Sequence, residues 1–180
     1  MFKFAYIINM PGYTPETYGD VYENAESYNV VVGVDGTEGA KAYAQKLEQE
    51  GYDLIILCSD FDDAAREEIE KSMTNPVEVQ NAGYFPEELA KLQSLEAPMN
   101  YGVIIQMDGV EESVRVALDS PDCNTRAIFV KDMEAAKKAA CDLIGEEIDF
   151  IELCGWFEEA QTKDVISAIE GRVPVGSCGI

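Results

Sequence analysis

The chain has 180 residues, with 13 basic against 35 acidic side chains, a formal charge of −22, no histidine and five cysteines. Such a surface repels phosphate, so neither nucleic acid nor an anionic membrane is an expected partner. Without histidine, a Ser-His-Asp triad, a Cys-His dyad and a histidine-ligated zinc are excluded within the chain.

In chain order, residues 3–9 form an apolar run ending at Met10-Pro11-Gly12, which reads as a strand entering a turn. Thr14-Pro15-Glu16 has a capping residue, a proline at the first helical position and a first-turn acid, so a helix is predicted over 14–22. Residues 28–34 are β-branched and apolar, a second strand. Asp35-Gly36-Thr37 then opens a helix whose Ala40, Tyr43, Ala44 and Leu47 share one face. Residues 54–58 form a third strand without polar alternation, as expected where helices cover a parallel sheet. A helix over 62–73 and a short strand over 76–80 follow. Pro86-Glu87-Glu88 starts a linking helix to about residue 95, ended by Ala97-Pro98.

The same order then returns. Strand 101–106 leads to a predicted helix over 111–118, and strand 126–130 to a helix over 133–144 capped by Asp132. Strand 150–154, helix 159–169 and strand 173–176 complete the second set. The stripe Ala136, Ala139, Ala140 and Leu143 lets its helix sit close on the sheet.

The two sets are copies. Asp53-Leu54-Ile55-Ile56-Leu57-Cys58 recurs as Asp149-Phe150-Ile151-Glu152-Leu153-Cys154, and at the same spacing Glu38, Ala40, Lys41, Ala44 and Leu47 recur as Glu134, Ala136, Lys137, Ala140 and Leu143. Tyr6 to Gly12 resembles Val103 to Gly109, and Pro76-Val77 is matched to Pro174-Val175. The expected organisation is a first, diverged repeat over 1–84, a linking helix and linker over 85–98, and a second repeat over 99–180. The fold class is α/β, two tandem βαβαβαβ units with mostly parallel sheet, packed as an internal pseudo-dimer. The rival is a closed eight-stranded (β/α) barrel, for which the chain is short of the usual roughly 200–250 residues.

Open α/β sheets bind ligands outside the carboxyl ends of their strands. In the second repeat that edge carries Met107 and Gly109, Gly155 and Trp156, and Gly176, the expected ligand-binding residues. Glu152 stands inside an otherwise apolar strand, where a carboxylate must be paired, shifted in its proton affinity, or turned to solvent at a sheet edge. Cys154 ends the same strand beside a helix start. It is either a small apolar filler or, if its thiol is activated, a nucleophile. Glu152 and Cys154 are therefore the candidate catalytic residues. Asp60, Asp62 and Asp63 offer oxygens of the kind Mg²⁺ takes, but acids in a first helical turn are ordinary caps, and no metal is assigned. No loop reads G-x-G-x-x-G or G-x-x-x-x-G-K-[ST], so phosphate binding is disfavoured and no cofactor is expected. The odd cysteine set, Cys58, Cys123, Cys141, Cys154 and Cys178, lacks C-x-x-C spacing, which argues against a zinc ribbon or a secreted disulfide framework.

With Ile151-Glu152-Leu153-Cys154-Gly155-Trp156-Phe157 and the closing Val173-Pro174-Val175-Gly176, the second repeat resembles a family of small prokaryotic α/β domains of unknown function. Those carry an I-E-L-C-G-G-F strand end and a P-V-G strand. The resemblance implies an α/β fold and cytosolic life, and it transfers no activity. Trp156 departs from that pattern's second glycine, and the first repeat departs at Ile56, Ser59 and Asp60. No signal-peptide pattern opens the sequence, so a cytoplasmic location is expected. The leading functional expectation is a module binding a small, non-phosphorylated ligand at the strand edge of the second repeat. The alternatives are a small-molecule isomerase or lyase using Glu152 and Cys154, and a structural or interaction module without a ligand site. Oligomeric state is left open.

Overall fold

The computed structural model describes residues 1–96, 98–155 and 157–180. The chain forms two compact units, Met1–Asn81 and Ala82–Ile180. In the first, β1 (Phe2–Asn9), β2 (Gly19–Glu23), β3 (Ser27–Val34), α1 (Gly36–Gln49), β4 (Leu54–Leu57), α2 (Asp63–Ser72) and β5 (Glu78–Asn81) follow one another. They build one open sheet in the order β2-β3-β1-β4-β5, parallel except for β2.

The second unit begins with β6 (Gly83–Tyr84) and α3 (Pro86–Leu92). It continues through β7 (Met99–Gln106), β8 (Val114–Leu118), β9 (Cys123–Val130), α4 (Met133–Gly145), β10 (Phe150–Cys154), α5 (Glu159–Ala168) and β11 (Val175–Ser177). Its sheet order is β6-β11-β10-β7-β9-β8, with only the edge strands β6 and β8 antiparallel. Strand for strand this is the first sheet again, with β6 added beyond β11. Both sheets are open, which replaces the closed-barrel alternative.

The α/β class and the mostly parallel sheets are as expected, but the first helix of each repeat is a strand. Thr14 accepts backbone bonds from Thr17 and Tyr18 at 2.9 Å each, a single turn rather than a helix start. Tyr18 is buried, and its carbonyl accepts the Gly33 N–H at 2.7 Å, which turns the following residues into a hairpin with β3. In the second repeat Val114, Val116 and Leu118 face inward in alternation and pair with β9. That is a strand period, and cross-strand pairing overrides the acids that imitate a helix start.

The turns that leave β1 and β7 are built alike. Met10 and Met107 are buried, their N–H groups donate to the carbonyls of Val34 and Val130, and Gly12 and Gly109 take φ of 81° and 80°. One matching at the repeat ends is corrected. Ile55 pairs with Val79 and Ile151 with Val175, so Val79, not Val77, is the counterpart of Val175.

In the second unit α4 and α5 pack on one sheet face. Ala136, Ala139, Ala140, Leu143 and Val165 meet Ile104, Ile128, Ile151, Leu153 and Val175 there. The approach is close because Gly102 faces α4; a Cβ on it would stand 2.9 Å from Leu143 Cδ1. The opposite face presents Tyr101, Val103, Ala127, Phe129, Glu152 and Cys154, all fully or almost fully buried. Alternation along each strand produces this division, since successive side chains point to opposite faces.

Candidate functional site

Glu152 is 0% exposed, in the interior strand β10 between β7 and β11. Its register partners are Val103 on β7 and Gly176 on β11, and Gly176 is in turn opposite Tyr84 on β6. Tyr84, Gly176 and Glu152 therefore form one row across the sheet. Having no side chain, Gly176 leaves the space in which the Tyr84 ring reaches over β11; a Cβ there would meet ring atoms at 2.5 Å. The Tyr84 hydroxyl donates to Glu152 Oε1 at 2.9 Å, and the Tyr101 hydroxyl donates to Oε2. Tyr101 is held by stacking on Phe150, with ring centroids 4.4 Å apart. The buried carboxyl group thus has a hydroxyl donor at each oxygen, as burial of a polar group requires.

The first unit lacks this whole set. By register, Ile56 takes the place of Glu152, Phe4 that of Tyr101 and Gln80 that of Gly176. Acid, hydroxyl and gap-leaving glycine are replaced together, as they must be if each is needed only for the others.

Cys154 is also fully buried, on the same face as Glu152. Burial pushes its thiol well above the usual cysteine range, and the neighbouring Cys178 thiol and the Glu152 carboxyl add to the shift. A thiol so held is a poor source of thiolate, which is the nucleophilic form. Gly155 has φ of 100°, and a Cβ on it would lie 2.3 Å from the Gln106 carbonyl oxygen. Here the end of β10 passes close over the end of β7. Met107 is packed in the interior and Gly109 forms the turn beyond it. Trp156 lies outside the described residues.

The raised thiol implies a pH response. An unfolded chain releases the cysteine proton near pH 9.0, whereas the folded protein keeps it. Burial likewise lifts the Tyr43 hydroxyl from 10.0 to about 12, with Glu50 and Glu16 contributing. Above pH 9 the unfolded state therefore binds fewer protons than the folded one. The stability present below that pH is lost as pH climbs through the folded values. Urea unfolding midpoints are expected to fall between about pH 9 and about pH 12, and less steeply in Cys154→Ala. A flat profile over that range contradicts this.

The residues singled out from the sequence do not gather around one opening. A hollow of about 700 Å³ does lie at the carboxyl end of β10 and β11, lined by Glu158, Glu159, Ala160, Lys163 and Gly179. Glu158 and Gln161 form a capping box at the start of α5, and Lys163 pairs with Glu159 and lies 5.1 Å from the Phe85 ring centroid. Gly179 is tucked so close that a Cβ would overlap the Phe157 carbonyl. These lining residues escaped the sequence reading because first-turn acids look like caps, and Glu158 is one. The first unit has a smaller hollow of about 310 Å³ at the carboxyl end of β3, among Tyr13, Glu16, Asp35 and Tyr43. Asp62 caps α2 through the Ala65 N–H at 2.8 Å, and Asp60 accepts from the Asn9 amide at 3.2 Å. Among the described residues, no three acid or cysteine side chains converge as a metal cage, and no helix is long and apolar enough to cross a membrane.

Two open, mostly parallel sheets of one design, the later one enclosing an acid, define a tandem-repeat α/β protein. The chain belongs to the Family of unknown function (DUF6506), whose family model matches it twice, over residues 2–97 and 99–180. No curated protein matches it. Among solved structures it is similar to an ABC transporter periplasmic solute binding protein from Actinobacillus succinogenes 130z with bound D-allose. That similarity has 12% identity, covers 97% of this chain and 77% of that one, and has a TM-score of 0.32. It is also similar to an ABC transporter solute-binding protein from Conexibacter woesei DSM 14684, at 12% identity over 97% and 69% of the two chains, with a TM-score of 0.30. At these scores neither likeness bears on what this chain binds.

Proposed function

We propose that the second repeat binds a small, non-phosphorylated ligand, cationic or neutral and rich in hydrogen-bond donors, at the carboxyl edge of β10 and β11. The observation that carries this is the hollow of about 700 Å³ at that edge, lined by two carboxylates and one lysine. Parallel α/β sheets bind ligands at this edge. The Lys163 charge is already matched by Glu159, so an incoming phosphate would meet net negative charge there and across a protein of charge −22. In this reading Glu152 and Cys154 lie in the packed sheet as support. The isomerase or lyase alternative has less in its favour, because both Glu152 oxygens accept hydroxyl donors and burial disfavours the Cys154 thiolate.

Calorimetric titration with amino acids, polyamines and neutral sugars, set against their phosphorylated counterparts, tests the assignment. A cationic ligand is expected to bind, and Glu159→Gln to weaken it roughly twofold to fivefold, the worth of about one exposed charge contact. Binding that is absent across the panel, or stronger for the phosphorylated compounds, overturns the proposal.

A further inference from the structure

The end of β10 and the residue after β11 bring two cysteines side by side. The parallel register runs Ile151 with Val175, Glu152 with Gly176 and Leu153 with Ser177. Its next row is Cys154 opposite Cys178. The ladder is still intact there, since the Cys178 N–H donates to the Leu153 carbonyl at 3.2 Å. Neighbouring strands lie about 4.8 Å apart, inside the Cα separation of roughly 4.4–6.8 Å that a disulfide spans. The Cys178 thiol is near enough to add to the upward shift that burial imposes on Cys154. Cys154 is buried and Cys178 half-buried, so an oxidant from solvent meets Cys178 first.

We propose that Cys154 and Cys178 are a redox pair that closes to a disulfide when a peroxide oxidises the protein. The Cys178 thiolate attacks one peroxide oxygen, the O–O bond breaks, and Cys178 becomes a sulfenic acid while the other oxygen leaves as water or an alcohol. The Cys154 sulfur then attacks the Cys178 sulfur. The S–O bond breaks, the oxygen leaves as water with the Cys154 proton, and the S–S bond forms. Two thiols are oxidised and one peroxide is reduced. The bond would fasten the final residues of the chain to the end of β10.

The first repeat contains its own control. Cys58 occupies the place of Cys154, but the residue after β5, in the place of Cys178, is Ala82. Cys58 should therefore keep its thiol under the same treatment.

The test treats the full chain with hydrogen peroxide, then blocks and counts free thiols under denaturing conditions and maps peptides by mass spectrometry. The expected result is a loss of two thiols from the five, two hydrogens of mass, a peptide joining Cys154 to Cys178, and full recovery with dithiothreitol. Cys178→Ser should form no intramolecular bond and leave Cys154 reduced, and Cys58→Ser should still cross-link. Since a change at buried Cys154 can impair folding, the half-buried Cys178 variant carries the decision. A Cys178 that stops at sulfinic acid, a bond to Cys123 or Cys141, or unchanged thiol loss in Cys178→Ser overturns the pairing.

Discussion

Glu152→Ala is expected to destabilise the second repeat by roughly 3–5 kcal/mol, adding the loss of an acceptor for two hydroxyls to a cavity in a packed sheet. The Tyr84 and Tyr101 hydroxyls both aim at this carboxyl from opposite sides. Each gives up a bond worth about 1–3 kcal/mol when buried and unreplaced. Glu152→Gln keeps one acceptor oxygen and should cost only about 1–2 kcal/mol. Tyr101→Phe installs the residue that the first repeat has at this place, Phe4, and should also cost about 1–2 kcal/mol. Because the two groups share one interaction, the double variant Glu152→Ala with Tyr101→Phe should lose less than the sum of its parts, with a coupling of roughly 1–2 kcal/mol. Urea unfolding of the parent and the four variants near neutral pH measures all of this. An alanine variant that unfolds at the parent midpoint would remove the network from the forces holding the sheet.

That network also marks how far the sequence could be read. Glu152 stood out because a carboxyl in a run of apolar strand residues demands a partner, and the demand is met. The partners themselves were not legible. Tyr84 comes from β6, and its approach depends on Gly176 leaving a gap in β11. Both are consequences of sheet order, which no local pattern encodes. The same distinction separates the elements that matched from those that did not. α1 and α4 follow from apolar stripes at helical spacing, and the Asp132 cap is present at 2.9 Å to the Ala135 N–H. β10 has the expected bounds, 150–154, because four of its five residues are apolar and only Glu152 interrupts them. Acids and a proline that satisfy capping rules equally well in a turn predict helices where β2 and β8 form. Their strand character comes from β3 and β9, which supply the hydrogen bonds. Acids at the start of α5 have the look of ordinary caps, and the hollow they line has no sequence signal because it is made by the meeting of that helix with the end of β11.

Gly155→Ala should be a severely damaging single-carbon change in the second repeat, at roughly 3 kcal/mol or more. Two independent costs fall on it. Its φ of 100° lies in a region that residues with a Cβ rarely adopt, and the added carbon would stand 2.3 Å from the Gln106 carbonyl oxygen and 3.2 Å from its carbon. Those obstacles are backbone atoms of β7, so no side-chain rotation relieves the clash; the end of β10 must shift, and with it the ladder that places Glu152. The contrast is Gly145 at the end of α4, where a Cβ meets nothing within 4 Å and φ is not positive. Gly145→Ala is expected to leave stability unchanged or raise it by about 0.5–1 kcal/mol through the loss of unfolded-state freedom. Thermal or urea unfolding of the pair, read beside binding of whatever ligand the edge accepts, separates two roles for Gly155. If steric fit alone explains the glycine, its substitution lowers stability whether or not ligand is present. A variant of parental stability that loses only binding would assign it to the ligand instead.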